Sequence, residues 1–232
     1  MNDKKIKVEY IYHSGYTIET EKYFMVFDYF KGDIELPDKP VIVFVSHSHP
    51  DHFNEDIFKW TLASSDITYI LSDDVMVPSN GRIRLMGPYE RLDFTDFSVD
   101  TFGSTDQGVS FLVNVDGIRI FFAGDLHWWH WEEDSPEEKS LMERDFKSEI
   151  ERIRGNEVDI AFFPVDPRLG KNYALGGRYF IDNIGPKHFF PLHFGDNFEI
   201  LRDFINIPRK NNTHIHMVER RNQVFTMENG WL

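Results

Sequence analysis

Short apolar runs separated by polar turns mark the first half of the chain. Residues 40–45 read Pro-Val-Ile-Val-Phe-Val, a stretch of mostly β-branched and aromatic side chains that is typical of a strand buried on both faces. An Asp116-Gly117 pair between two further runs predicts a tight hairpin. The pattern as a whole predicts strands over residues 6–12, 23–29, 41–46, 67–72, 82–86, 97–102, 108–115 and 118–123, the first two joined through Ser14-Gly15 and Glu21-Lys22.

Helical signals enter in the second half. Ser135 as N-cap, Pro136 at the first helical position and acids in the first turn predict a helix that ends near Arg154. The remaining pattern predicts a strand over 158–164, a short helix over 177–184, a strand over 187–192, a helix over 198–205, and a strand pair over 213–218 and 223–227. A β-rich half followed by alternating strands and helices favours one α+β domain over residues 1–232, with two sheets flanked by helices.

A dense set of metal-binding side chains follows the apolar run. His47, His49, Asp51 and His52 form the pattern H-x-H-x-D-H, and Asn54 is placed to cap a helix beyond it. Imidazole and carboxylate groups are ligands for zinc and iron. Ten His residues scattered over 232 positions would rarely give this pattern, although a solvated, His-rich turn is the alternative. Because functional sites often occupy loops beyond strand ends, we predict a metal site here.

These residues resemble the signature of the metallo-β-lactamase-fold hydrolases, and three other segments continue the resemblance. Asp125 follows a strand in place of the family's bridging carboxylate, His193 stands in place of its last ligand, and Asp28 in place of an acid that supports the site. The resemblance covers nearly the whole chain and is closest to a single-domain branch that includes sugar-phosphate lactonases. It implies a four-layer αββα sandwich and the metal ligands His47, His49, Asp51, His52, Asp125 and His193.

One imidazole of that family pattern is missing. By its spacing to the following strand, Ser104 stands where the family has a histidine, and Asp106 nearby could supply an oxygen ligand instead. The resemblance therefore implies one impaired and one complete metal position. The first would use His47, His49 and Asp125, and the second Asp51, His52, Asp125 and His193.

The aromatic segment 128–131, Trp-Trp-His-Trp, follows Asp125 and should border the metal cleft. Pockets are mostly apolar with a few placed polar groups, so the Trp residues could form one wall and His130 could be catalytic or contact the substrate. His127 is a weaker candidate for the same role. The alternative is an aromatic loop that anchors itself on the core.

Three other features each have two interpretations. His13 lies either at the mouth of the site or in an ordinary turn. Asp166 and Arg168 follow another buried strand, and they either recognise a carboxylate or phosphate or form a plain ion pair. His188, His214 and His216 fall in predicted strands and are expected to be structural.

Composition and charge narrow the class of function. The formal net charge is −14, the pI is near 5.1, and the basic residues form no stripe, which argues against a nucleic-acid partner. Apolar runs are too short to cross a membrane, and the first residues do not read as a secretory signal, so we expect a cytoplasmic protein. Cysteine is absent, which leaves His and carboxylate as metal ligands.

The hypothesis that combines these features is a metal-dependent hydrolase acting on a small molecule with an ester, lactone or phosphoester bond. The expected cofactor is zinc, as one or two ions, with manganese or iron as alternatives. Asp51 would bind the metal or orient the attacking water, which the metal activates by lowering its pKa. The alternatives are a nuclease or phosphodiesterase of the same fold, and a non-catalytic metal-binding domain with a degenerate first position.

Overall fold

Strands make up most of the architecture. The computed structural model describes residues 5–64, 66–77 and 81–228. Within these residues the strands are β1 (Ile6–Tyr12), β2 (Gly15–Glu19), β3 (Phe24–Phe27), β4 (Val41–Val45), β5 (Ile67–Ser72), β6 (Ile83–Met86), β7 (Arg91–Asp93), β8 (Phe97–Phe102), β9 (Ser110–Val115), β10 (Ile118–Phe122), β11 (Ile160–Pro164), β12 (His188–Leu192), β13 (His214–Ile215) and β14 (Gln223–Met227). They form two mixed sheets, ordered β14-β1-β2-β3-β4-β5-β6 and β13-β12-β11-β10-β9-β8-β7.

The two sheets pack on each other through aromatic side chains. Phe27 of β3 stacks on Phe44 of β4 at a centroid distance of 4.5 Å and on Phe122 of β10, in the other sheet, at 4.8 Å. All three rings are fully buried. Large buried rings contribute much of the apolar area that stabilises a core. The 22 Phe residues of the chain therefore serve mainly to fill the space between and around the sheets.

Helices cover the outer faces of the sheets. A 3₁₀ helix, Glu55–Leu62, packs Ile57 and Phe58 on the first sheet, where Phe58 lies 5.4 Å from Tyr69. The second sheet is covered by α1 (Pro136–Ile153), α2 (Leu175–Ile184) and α3 (Glu199–Ile205), with a further 3₁₀ segment at Pro167–Asn172. Phe180 of α2, for example, stacks on Phe163 at 4.5 Å. None of the helices in the described ranges is long and apolar enough to cross a membrane.

The predicted α+β sandwich with helices outside two sheets is confirmed. The predicted caps are also present: Asn54 accepts a hydrogen bond from the Asp56 amide, and Ser135 and Glu138 form a reciprocal capping box. Two strands, β2 and β7, were not predicted. β2 follows β1 after a two-residue turn and has only five residues, four of them buried. β7 is a three-residue edge strand with charged ends.

Parallel strands bring the candidate residues to one edge of the sandwich. β3, β4 and β5 run parallel in the first sheet, and β10, β11 and β12 run parallel in the second. The carboxyl ends of parallel strands open at the same edge of a sheet. The loops after β4, β10, β11 and β12 therefore start from that edge.

A glycine holds the loop before β9 against the end of β4. Gly108 has a positive φ of 73°, and a Cβ there would run into the Ser46 carbonyl and the His47 side chain. The next residue, Val109, donates its amide to the same carbonyl at 2.9 Å. Only glycine permits this backbone conformation and this close approach together. Gly108 thus fixes how the loop 103–109 lies beside the H-x-H-x-D-H segment.

We expect Gly108→Ala to destabilise the fold by several kcal/mol, because strain at positive φ adds to a backbone collision. Gly155→Ala is the matched control, since Gly155 has a φ of 93° but nothing lies near its would-be Cβ. The control should cost about 1 kcal/mol. Urea unfolding of both variants measures the difference. Equal losses would mean that the contact with Ser46 does not constrain the loop.

Candidate metal centre

Four loops converge at the shared edge of the two sheets. The loop after β4 supplies His47, His49, Asp51 and His52, the loops after β10 and β12 supply Asp125 and His193, and the β1–β2 turn supplies His13. The first six are the ligands predicted from the sequence. The structure brings all six together, although they span nearly 150 positions of the chain.

One group of donors corresponds to the first predicted position. His47, His49 and Asp125 offer ligand atoms that lie within 4.8 Å of one another. The Nε2 atom of His47 lies 3.0 Å from Nδ1 of His49 and 3.5 Å from Oδ2 of Asp125. Three donors, one of them shared with a second group, are as few as a metal site uses, so a further ligand beside them would strengthen the site.

A second group of donors corresponds to the other predicted position and contains one residue, His13, that was not predicted as a ligand. His13, Asp51, His52 and His193 also place their ligand atoms within 4.8 Å of one another. Oδ2 of Asp51 lies 3.3 Å from Nε2 of His13 and 3.9 Å from Nε2 of His193. The sequence interpretation left His13 between a turn residue and the mouth of the site. In the structure its ring lies 4.1 Å from that of His193, within the cluster.

Asp125 lies between the two groups. Its Oδ1 is 3.1 Å from Nε2 of His52 and 3.3 Å from Nε2 of His193, while its Oδ2 faces Nε2 of His47. Each carboxylate oxygen therefore points to a different group. This is the placement that a carboxylate shared by two metal ions requires.

Unpaired buried atoms show that the donors fit a cation. Nε2 of His13, His52 and His193 and Oδ1 of Asp125 are buried and make no hydrogen bond of normal geometry to a described residue, although each lies 3.1–3.3 Å from a facing atom of the cluster. Buried polar atoms are normally paired, because leaving one unpaired costs about 1–3 kcal/mol. Imidazole nitrogens and carboxylate oxygens suit zinc, manganese and iron. The residues present therefore fit a bound divalent metal.

Buried carboxylates orient the imidazoles by hydrogen bonding to the Nδ1 atoms, which face away from the centre. Nδ1 of His52 lies 2.6 Å from Oδ2 of Asp28, and Nδ1 of His193 lies 2.9 Å from Oδ2 of Asp166. Asp28 also accepts the Ser46 hydroxyl, which in turn contacts Nδ1 of His47 at 2.9 Å. With Nδ1 donating to these partners, Nε2 keeps its lone pair free toward the centre. Asp28 thus has the supporting place that the resemblance implied.

The electrostatics of the cluster favour positive charge. Burial lowers the pKa of His52, but the Asp125 and Asp28 carboxylates more than offset this and raise it to about 10. Burial also raises the pKa of Asp125, yet the surrounding imidazoles hold it well below its usual range. Asp125 therefore stays ionised in the interior, and the field that favours a proton on His52 favours a metal cation equally.

Asp106, and not Ser104, faces the candidate centre. Ser104 Oγ accepts a hydrogen bond from the Asp106 amide at 3.2 Å and so serves its own loop. Oδ2 of Asp106 lies 4.0 Å from Nδ1 of His49. Burial and the nearby Asp125 carboxylate raise the pKa of Asp106, as expected for an acid beside another acid. Asp106 is therefore the side chain that occupies the region of the missing histidine.

A cavity of about 530 Å³ opens over the candidate centre. It is lined by His49, Asp51, Thr105, Asp106, Asp125, Trp129, Trp131, Asp134, Glu138, Leu141, Met142, Asp145, Arg168 and His193. Trp129 and Trp131 form the predicted aromatic wall, with parallel rings 5.9 Å apart. His130, between them, is not among the described residues that line the cavity, and its ring lies 6.5 Å from that of Trp128. The catalytic role predicted for His130 thus has no contact to support it.

The remaining candidates divide between site and scaffold. Arg168 pairs with Asp166, its Nε 2.9 Å from Oδ2, so the ion-pair interpretation holds while Asp166 also contacts His193. His127 is fully buried, and burial lowers its pKa to about 3. His188 and His216 hydrogen-bond to each other at 3.0 Å in the sheet β11-β12-β13, away from the cluster. Their predicted structural role fits that position.

Solved structures share this fold at low sequence identity. A protein described as a metal-dependent hydrolase from Parabacteroides distasonis is 17% identical, with a TM-score of 0.65 over 93% of this chain and 94% of that one. A metallo hydrolase from the archaeon Ignicoccus hospitalis is 12% identical, with a TM-score of 0.68 over 96% and 98%. The diiron β-hydroxylase CmlA from Streptomyces venezuelae is 12% identical, with a TM-score of 0.59 over 96% of this chain and 54% of that one.

Sequence comparison assigns the family. No curated protein matches the chain. Residues 7–141, more than half of the chain, match the model of the beta-lactamase superfamily domain, and this range includes every residue of the H-x-H-x-D-H segment and Asp125. The fold, the family model and the solved structures agree, and the chain belongs to the metallo-β-lactamase-fold members of the beta-lactamase superfamily.

Proposed function

We propose that this protein is a metal-dependent hydrolase that directs an activated water at an ester, lactone or phosphoester bond of a small molecule. The observation that carries the proposal is the set of buried donor atoms without a hydrogen bond on His13, His52, His193 and Asp125, the last two of which line an open cavity. A bound divalent metal lowers the pKa of a water and polarises the oxygen of the bond to be cleaved. Zinc is the metal we expect first.

The side chains divide the remaining work among themselves. Asp125 supports both donor groups, and Asp28 and Asp166 hold the imidazoles in place. Asp51 is 40% exposed and faces the cavity, so it can accept a hydrogen bond from the attacking water or bind the metal. His13, 3.3 Å from Asp51, limits the orientations that the carboxylate can take. The aromatic wall excludes water from one side of the bond.

The net charge favours a small substrate, whereas the ligand set does not select one metal. The net charge of −14 opposes nucleic acid, which keeps the nuclease of this fold as the weaker alternative. Asp106 adds an oxygen donor where the family has a nitrogen, and oxygen-rich sites suit manganese and iron better than zinc. The fold is shared with a diiron hydroxylase, so iron-loaded protein needs a test for oxygen uptake beside the test for hydrolysis.

A turnover screen tests the proposed function. Protein freed of metal with a chelator is reloaded with zinc, manganese or ferrous iron and offered aryl esters, lactones and phosphodiesters. We expect metal-dependent hydrolysis of at least one class that the His52→Ala variant lacks. Oxygen uptake without hydrolysis would identify a hydroxylase, and metal binding without any turnover would leave a non-catalytic domain.

The first position should retain a metal through Asp106. Wild-type protein is expected to bind about two ions per chain, and Asp106→Ala about one, because only His47, His49 and Asp125 then remain there. Asp96→Ala, which removes an exposed carboxylate beside Lys22, is the control and should leave the count unchanged. Elemental analysis of dialysed protein gives the stoichiometry. If Ser104→His raises a wild-type count of about one while Asp106→Ala does nothing, Asp106 is not a ligand.

Tryptophan fluorescence should report metal binding at the second position. The Trp129 ring lies 5.6 Å from that of His193, so binding of metal at His193 should change tryptophan fluorescence. We expect His193→Ala and Trp129→Phe each to remove most of that change, the first by lowering metal occupancy severalfold. Trp60→Phe, beside Tyr29 on the outer 3₁₀ helix, is the control and should keep it. Unaltered metal content in His193→Ala would refute the ligand assignment.

A further inference from the structure

The cavity over the candidate metal centre has two chemically different ends. Its floor carries the donor groups, including His193 and Asp125, which are 2% and 4% exposed and each aim an unpaired atom at the centre. Three more exposed acids also line the cavity and define its outer part: Asp134, from the segment before α1, is half-buried, and Glu138 and Asp145 of α1 are exposed. We propose, on the basis of the proposed function, that the natural substrate bears a cationic group, such as an amine, at the end remote from the bond that is cleaved.

The outer acids are not neutralised from within the cavity. Arg168 is the only Lys or Arg among the described residues that line it. Its guanidinium already makes several hydrogen bonds to Asp166, with Nε 3.0 Å from Oδ1 and 2.9 Å from Oδ2. A phosphate or carboxylate on the substrate is bound best by Arg or Lys side chains whose charge is not already offset by an acid. The charge of Arg168 is already offset by Asp166, so the cavity offers such a group little.

Asp134 is the acid best placed to receive a cation. The carboxylate of Asp145 lies 3.0 Å from Arg144, which is not among the described residues that line the cavity, and Glu138 accepts the Ser135 amide at 2.8 Å. No described residue makes a hydrogen bond or ion pair with the half-buried Asp134 carboxylate. A metal at the floor offsets the charge of Asp51, Asp106 and Asp125 but is not held by these outer acids. The negative charge of Asp134 is therefore left for the ligand.

The walls between the two ends suit an amine with an apolar stem. Leu141 and Met142 of α1 line the cavity together with Trp129 and Trp131. Aromatic faces attract cations, and the guanidinium of Arg168 already lies 5.9 Å and 5.8 Å from the two ring centroids. A chain of methylene groups would contact these side chains, and its charged end would reach the acids. The reacting carbonyl or phosphoryl group would then lie at the floor.

Three metal-binding probes of matched length test the inference. Aminocaproic hydroxamate, heptanoic hydroxamate and adipic monohydroxamate share a chelating head and a chain of nearly equal length, and they end in a cationic, neutral or anionic group. Titration calorimetry on zinc-loaded protein should give the order cationic, neutral, anionic, with the first about tenfold tighter than the last. The preference should shrink as sodium chloride is raised, because the outer acids are partly exposed.

Charge-removing variants locate the preference. Asp134→Asn, alone and with Asp145→Asn, should bring the three affinities together. Glu137→Gln removes one negative charge from the first turn of α1, but Glu137 lines a different surface depression, so this variant should leave the order intact. Equal binding of all three probes to wild type, or a preference that survives the double variant, would overturn the inference alone. Failure of every probe to bind metal-loaded protein would overturn the proposed function, and this inference with it.

Discussion

A buried carboxylate at the end of β3 holds the candidate centre together. Asp28 is fully buried and accepts three hydrogen bonds: from the Ser46 amide at 2.7 Å, from the Ser46 hydroxyl at 2.6 Å and from Nδ1 of His52 at 2.6 Å. A buried charge is tolerated only when it is paired in this way. Because Ser46 and His52 bracket the metal-binding loop, these bonds set the position of every donor between them. The same constraint reaches His47 through the Ser46 hydroxyl.

The two donor groups differ in the number of side chains that they contain. The sequence led us to expect this difference, and the structure adds a second cause of it. Position 104 carries Ser where the family has a histidine, and Oδ2 of Asp106 lies 4.0 Å from Nδ1 of His49 in the first group. The second group is enriched as well, since His13 adds a donor that the resemblance did not include. Asp125 lies between a sparse group and a crowded one. The imidazoles around Asp125 keep it ionised, so its negative charge acts on both groups.

Prediction from the sequence succeeded where the signal was local. The apolar run before His47 and the contiguous H-x-H-x-D-H pattern place one loop of the site without any knowledge of the fold. Asp125 and His193 were found only through the resemblance, because their approach to that loop depends on how the sheets pack. His13 carried no local signal, since it lies in a two-residue turn with a positive φ of 57°. In the Trp-Trp-His-Trp segment the side chains alternate, and nothing in the sequence says which set faces the cavity.

The separation of core and site explains how one fold supports different reactions. The stacked rings of Phe27, Phe44 and Phe122 lie between the sheets, whereas the donors and the cavity wall lie on loops beyond the strand ends. Residues in those loops can change without loss of the buried aromatic area that stabilises the sandwich. A histidine can therefore give way to Asp106, and acids can collect on the outer wall, while the sheets keep their register. The fold fixes where a metal and a substrate meet, and the loop chemistry selects which metal and which substrate.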